Sequence, residues 1–274
     1  SGRWTLFFLN RILHLNLIAW PTWLTESISM VLLCAGGMCW AGIFQMILSE
    51  YESRMPGLIA AVSVALFVSN SIISELWVYY LHNGICIGYC LCAFAVFCFC
   101  EAMRRGRKPG NIVLRLVISA VWLTVSVGCY ESMLQCFVVG VILAFFVIRI
   151  KNAEKSVYSG SLVIWAGSGI VVCAATIVLR EIILRVIKRC YNLDAMSIGY
   201  NSMFGDLFSE PGSLALLVKK IYLRYYVEAV VYLPITVYVI SLFSLLVISV
   251  VFLAKKRDFY PVLCVAAIPL FQIA

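Results

Sequence analysis

The chain has 274 residues, of which 64% are hydrophobic and 12% charged, with a net charge of +8 and a mean hydropathy of +1.01. Soluble domains average roughly 45–50% apolar and 25% charged residues, so a water-soluble globule is excluded. A disordered chain and a nucleic-acid-binding domain are excluded too, because the positive charge is spread thinly over an apolar body. What remains is an all-α, polytopic transmembrane helical bundle, with room for up to about ten spans at roughly 20 apolar residues per crossing.

The sequence opens at Ser1-Gly2-Arg3-Trp4, without Met, and stops inside the apolar run Phe271-Gln272-Ile273-Ala274, so it reads as a fragment. Neither end carries a signal-peptide pattern. Residues 3–20 are apolar but interrupted by Arg3, Asn10, Arg11, His14 and Asn16, and they end at Trp20-Pro21. That pattern predicts a half-buried helix parallel to the membrane. Apolar runs bounded by charges or turn residues then predict spans at 22–48, 57–79, 84–100, 112–129, 132–148, 161–179, 230–254 and from 259 onward. The stretch 116–148 holds a single charge, Glu131, and is too long for one crossing, so two helices must turn near Gly128-Cys129-Tyr130-Glu131.

Alternate loops are basic. Arg104, Arg105, Arg107 and Lys108 form one, Arg149, Lys151 and Lys155 another, and Lys255, Lys256 and Arg257 a third. The turns between them, Leu81-His82-Asn83 and Tyr130-Glu131, contain no Lys or Arg. Short basic loops stay cytoplasmic, so the residues before Thr22 and a long loop at 180–229 are expected outside. The whole chain, 1–274, reads as one transmembrane domain carrying that loop.

The loop is predicted to contain two amphipathic helices. In 179–190, Leu179, Ile182, Ile183, Val186 and Ile187 recur at helical spacing, opposite Arg180, Glu181, Arg185, Lys188 and Arg189. After the break Ser209-Glu210-Pro211-Gly212-Ser213, residues 214–226 place Lys220 and Arg224 one turn apart. Both segments are expected to lie on the outer face with cations at head-group depth. They either anchor the chain to anionic lipid or form a cationic rim around a pocket for a phosphate-bearing lipid.

Most of the twelve cysteines lie in apolar segments, as Cys86, Cys90, Cys92, Cys98 and Cys100 do, and read as small hydrophobes rather than zinc ligands. Gly36-Gly37 and Gly167-Ser168-Gly169 read as patches where helices pack closely. Glu26, Glu75, Glu131 and Glu228 fall at outer helix ends, where a carboxylate near hydrocarbon is costly and usually retained for function. They are expected to converge on one outer cavity. Glu131 stands out beside Tyr130 with no nearby cation; its plainer reading is a solvated turn residue or helix cap. No phosphate-cradling glycine loop, HExxH, GxSxG or dinucleotide fingerprint occurs.

Two segments resemble a known family. Ser1-Gly2-Arg3-Trp4, followed by a short apolar helix, a Pro and a long span, resembles the second conserved block of the bacterial glucosyl transferase II family, the O-antigen-modifying membrane glucosyltransferases of the GT-C type. The hairpin Val125-Ser126-Val127-Gly128-Cys129-Tyr130-Glu131-Ser132-Met133-Leu134 is similar to that family's small-residue, Tyr, Gln turn, and the likeness runs in order and spacing over about residues 1–150. It implies a GT-C-like bundle in the bacterial inner membrane with its active face outside. The implied reaction moves glucose from a polyprenyl-phosphate donor to a cell-surface or O-antigen (lipopolysaccharide) glycan, so the partners are that donor, the glycan acceptor and membrane lipids, with no nucleic acid. Within it, Arg3 is the first choice to bind the departing lipid phosphate, with Arg224 and Lys220 behind it, while Tyr130 and Glu131 orient sugar hydroxyls. The family's acidic pair is expected just before the Gly-Arg-Trp element, upstream of Ser1, so no catalytic base is assigned, and Glu131 stands where Gln is expected. No cofactor is implied; a divalent cation is left open. The competing class is a transporter or flippase of lipid-linked saccharides, which expects midplane polar residues and interrupted helices in two repeated halves. Neither is evident in the sequence.

Overall fold

A computed structural model describes Trp4, Thr5, Phe8 and residues 22–49, 82–130, 132–152, 158, 161–190 and 235–273. The described residues form seven long helices: α1 (Thr22–Ser49), α2 (His82–Ala102), α3 (Pro109–Cys129), α4 (Met133–Asn152), α5 (Leu162–Cys190), α6 (Ile235–Lys256) and α7 (Tyr260–Ile273). Each coincides with a predicted span; the predicted span 57–79 lies outside the described residues. Four segments among those described are long and apolar enough to cross a membrane: Ser27–Ile47, Gly84–Ala102, Pro109–Cys129 and Leu162–Ile187. Nothing in lipid satisfies a bare peptide group, which is why apolar chain of this length forms helices.

One predicted boundary is corrected. The span at 161–179 and the amphipathic helix at 179–190 are a single uninterrupted 29-residue helix, α5, so 179–190 is its final turns rather than a separate helix. The second amphipathic segment, 214–226, lies outside the described residues.

The bundle is organised around the antiparallel pair α2 and α3. Two serines of α3 seven residues apart each donate to a small residue of α2, Ser119 Oγ to Ala95 O at 2.8 Å and Ser126 Oγ to Gly88 O at 2.6 Å. Such interhelical bonds contribute about 0.6 kcal/mol each in lipid, and small residues let the backbones approach closely enough to form them. Helix α1 runs parallel to α2, with Gly36 seated against Tyr89 and Cys90, and with the Cys90 thiol donating to Leu32 O at 3.1 Å. Helix α4 packs on the same pair: the Cys92 thiol reaches Met133 O at 3.5 Å, and Phe99 meets Phe137 edge-on at 5.7 Å. Trp165 of α5 completes the core, buried between Phe99 at 5.6 Å and Phe145 at 5.5 Å. All twelve cysteines are free thiols, and those in the core fill the narrow gaps between helices.

The two glycine patches part company. Gly36 is a close-contact position as expected, whereas Gly167 and Gly169 face open space, with no atom within 4 Å of a Cβ built on either. Most neighbours of that stretch are exposed, Val163 at 81% and Ile170 at 69%, so this face of α5 is turned outward. One tight position that the sequence reading passed over is Gly140, whose added Cβ would lie 2.5 Å from Trp40 Cη2 and 2.6 Å from Cζ3. A rigid indole cannot yield that space. Gly140→Ala is expected to destabilise the bundle by about 1–3 kcal/mol, the usual cost of overpacking. Gly167→Ala should be neutral or slightly stabilising. Thermal unfolding of the two purified variants in detergent checks the contrast.

Candidate functional site

The helix ends define two chemically different faces. The connections α2–α3, α4–α5 and α6–α7 lie at one end and carry Arg104, Arg105, Arg107 and Lys108, then Arg149, then Lys255, Lys256 and Arg257. Glu101, 6% exposed at the end of α2, accepts from Arg104 at 3.1 Å and from Arg107, with Arg115 of α3 at 4.0 Å. Gly106 supplies the left-handed backbone (φ 76°) that the tight connection needs, and Pro109 opens α3 where a missing N–H costs nothing. Arg149 pairs with Asp258 and lies 4.7 Å over the Tyr260 ring, while Asp258 Oδ1 accepts the Tyr260 N–H at 3.1 Å and starts α7. This is the basic end of the bundle.

The opposite end holds the candidate site. There α3 stops at Cys129, and Tyr130 turns the chain in an extended conformation (φ −155°, ψ 129°), its N–H donating to Ser126 O at 3.1 Å. The Tyr130 carbonyl accepts from Met133 N–H at 3.1 Å and so launches α4. Tyr130 itself is half-buried against the core. Onto this turn docks the N-terminal segment. Thr5, 6% exposed, donates through Oγ1 to Val125 O at 2.9 Å, and the same oxygen is in hydrogen-bonding reach of the Cys129 thiol. Trp4 lies across Gly128, where an added Cβ would overlap Thr5 Oγ1 and come within 2.5 Å of Trp4 Cε2. Phe8, one turn on, meets Trp4 edge-on at 6.4 Å.

Of the residues proposed from sequence to bind substrate, Tyr130 is the one described. Arg3, Glu131, Lys220 and Arg224 lie outside the described residues, as do Glu75 and Glu228; Glu26 falls within α1 near its start. The two segments that carried the family likeness, 120 residues apart, nevertheless meet through Thr5 and Val125. Sequence reading missed the docking pair Thr5 and Gly128, and only the glycine beside a predicted turn hinted at it. It also placed Arg180 on the polar face of a surface helix. The buried Thr176 hydroxyl reaches Ala120 O of α3 at 3.5 Å, and Arg180 follows one turn later, with its side chain 22% exposed and Nη1 3.3 Å from Glu181. Arg180 is thus a cation on the bundle side of α5, toward the same end as Tyr130.

Among the described residues, no three His, Cys, Asp or Glu side chains come together in a way that could hold a metal ion. The glucosyl transferase GtrII family matches the chain over residues 1–274. No curated protein matches it, and no solved structure does.

Proposed function

The chain belongs to the glucosyl transferase GtrII family, and from that premise we propose that it takes glucose from a polyprenyl-phosphate donor and delivers it to a cell-surface or O-antigen glycan on the outer side of the bacterial inner membrane. Membership of a glucosyl transferase family decides against the flippase alternative. The observation that carries the reading is the meeting of the N-terminal segment with the Tyr130 turn at the end of the bundle opposite the basic loops. Apolar helices support a lipid-linked donor, because the isoprenoid chain needs only a hydrocarbon-facing surface and the polar end then sits at head-group depth.

The chemistry asks little of the protein. An acceptor hydroxyl attacks the anomeric carbon and loses its proton to a carboxylate, the carbon–oxygen bond to phosphate breaks, and polyprenyl phosphate departs with the bonding pair. Arg3 is assigned to that phosphate, since a guanidinium donates two parallel hydrogen bonds, with Arg224 and Lys220 adding positive potential. Tyr130 and Glu131 are assigned to sugar hydroxyls, and no residue is assigned as base.

The test is incorporation of labelled glucose from a polyprenyl-phosphate donor into an acceptor that cannot cross the membrane. Sealed right-side-out vesicles containing the full-length protein are expected to label it, and inverted vesicles are not. No labelling in either orientation defeats the donor assignment, and labelling only in inverted vesicles defeats the sidedness.

A further inference from the structure

We infer that Thr5 and Gly128 are positioning residues: the docking of Trp4 and Thr5 on the last turn of α3 fixes the N-terminal segment against the Tyr130 turn, and the docked state is the one that transfers sugar. This rests on the function proposed above, in which Arg3 meets the donor phosphate.

Two kinds of contact hold the dock. Thr5 is buried and spends its hydroxyl proton on Val125 O, a carbonyl near the C-terminal end of α3 whose second lone pair is free to accept it beside the helix's own bond. A hydroxyl at this one position therefore ties the N-terminal segment to the end of α3. Shape is the second contact. The Trp4 indole Nε1 is buried and has no hydrogen-bond partner among the described residues, so its ring is seated by the flat surface that Gly128 leaves. Glycine is otherwise a poor choice in the last turn of a helix, where it loses about 1 kcal/mol to alanine. Here alanine would drive its methyl into both docked residues.

Covalent geometry carries the consequence. Arg3 directly precedes Trp4 and Glu131 directly follows Tyr130 in the sequence, so the contact joins the two segments that the proposed function assigns to one substrate. The contact thereby couples two groups far apart in sequence that must act on one substrate. Orientation of this kind is worth a great deal, since a displacement of about 1 Å at a reacting group costs on the order of 100-fold in rate.

Cys129 provides a readout independent of activity. In membranes bearing the full-length protein, Thr5→Cys is expected to form a disulfide with Cys129 on mild oxidation, lost in Thr5→Cys/Cys129→Ser and identified by mass spectrometry of the linked peptides. The oxidised variant should transfer glucose at least as fast as the same variant reduced. Adding Gly128→Ala should slow cross-linking, and Gly128→Ala alone should lower transfer by about 100-fold at unchanged protein content of the membrane. Failure of Thr5→Cys to link to Cys129 overturns the docking. Normal linking with transfer abolished in the oxidised form shows that the docked state is not the working one and overturns the positioning role. Gly128→Ala that changes neither quantity overturns it as well. If the wild type transfers no glucose while the link forms, the functional reading fails and takes the positioning role with it, whereas the dock itself stands.

Discussion

Arg3→Ala in the full-length protein is expected to abolish glucose transfer, by about 100- to 1,000-fold, while the protein still inserts and accumulates in the membrane. That magnitude is the usual cost of removing one preorganised donor to a charge that develops in the transition state. Arg3→Lys should fall between the two, because an ammonium restores the charge but not the fork that grips two phosphate oxygens. Labelled-sugar incorporation normalised to the protein recovered from washed membranes measures the series. Equal transfer by the alanine variant and the wild type removes Arg3 from the site.

The second large effect belongs to the basic end and concerns stability rather than chemistry. Glu101 is the carboxylate on which Arg104, Arg107 and Arg115 converge, and its side chain is 7% exposed. Glu101→Gln removes the charge, keeps the shape, and leaves three guanidinium groups facing one another. Stranding a fully buried partner costs roughly 3–5 kcal/mol. These arginine side chains are 24–36% exposed and can turn to water, so a smaller loss of about 2 kcal/mol is expected. Thermal unfolding in detergent reads it, and a variant as stable as the wild type would show the cluster to be ornamental. Glucose transfer per folded molecule should not change, since the cluster sits at the end opposite Tyr130.

How far these features were legible in the sequence depends on which force shaped them. The helices were readable because hydrocarbon selects for apolar runs of set length, and the turn at Tyr130 because 33 residues with one charge cannot cross once. The continuity of α5 was not readable. A change from apolar to amphipathic at Leu179–Arg180 marks where lipid ends, but nothing there breaks a helix, so polarity shifts while the backbone runs on to Cys190. Gly140 and Gly167 look alike as letters, yet one lies under Trp40 and the other faces open space, a difference made entirely by neighbours from other helices. The Thr5–Val125 bond spans 120 residues and obeys no period that a sequence displays. Of the candidate site, the likeness of two segments to one family pointed to where chemistry is carried, while their contact emerged only from the fold.

The span of α5 sets a further condition on anything working near its end. Twenty-nine residues at 1.5 Å each make a rod of about 43 Å, against about 30 Å of hydrocarbon. Leaning by 40°, the steep limit for such helices, shortens its vertical reach only to about 33 Å. At any allowed inclination α5 is therefore taller than the greasy layer, like a mast stepped through a deck, so at least one of its ends stands beyond the hydrocarbon, and a thicker bilayer would cover more of it.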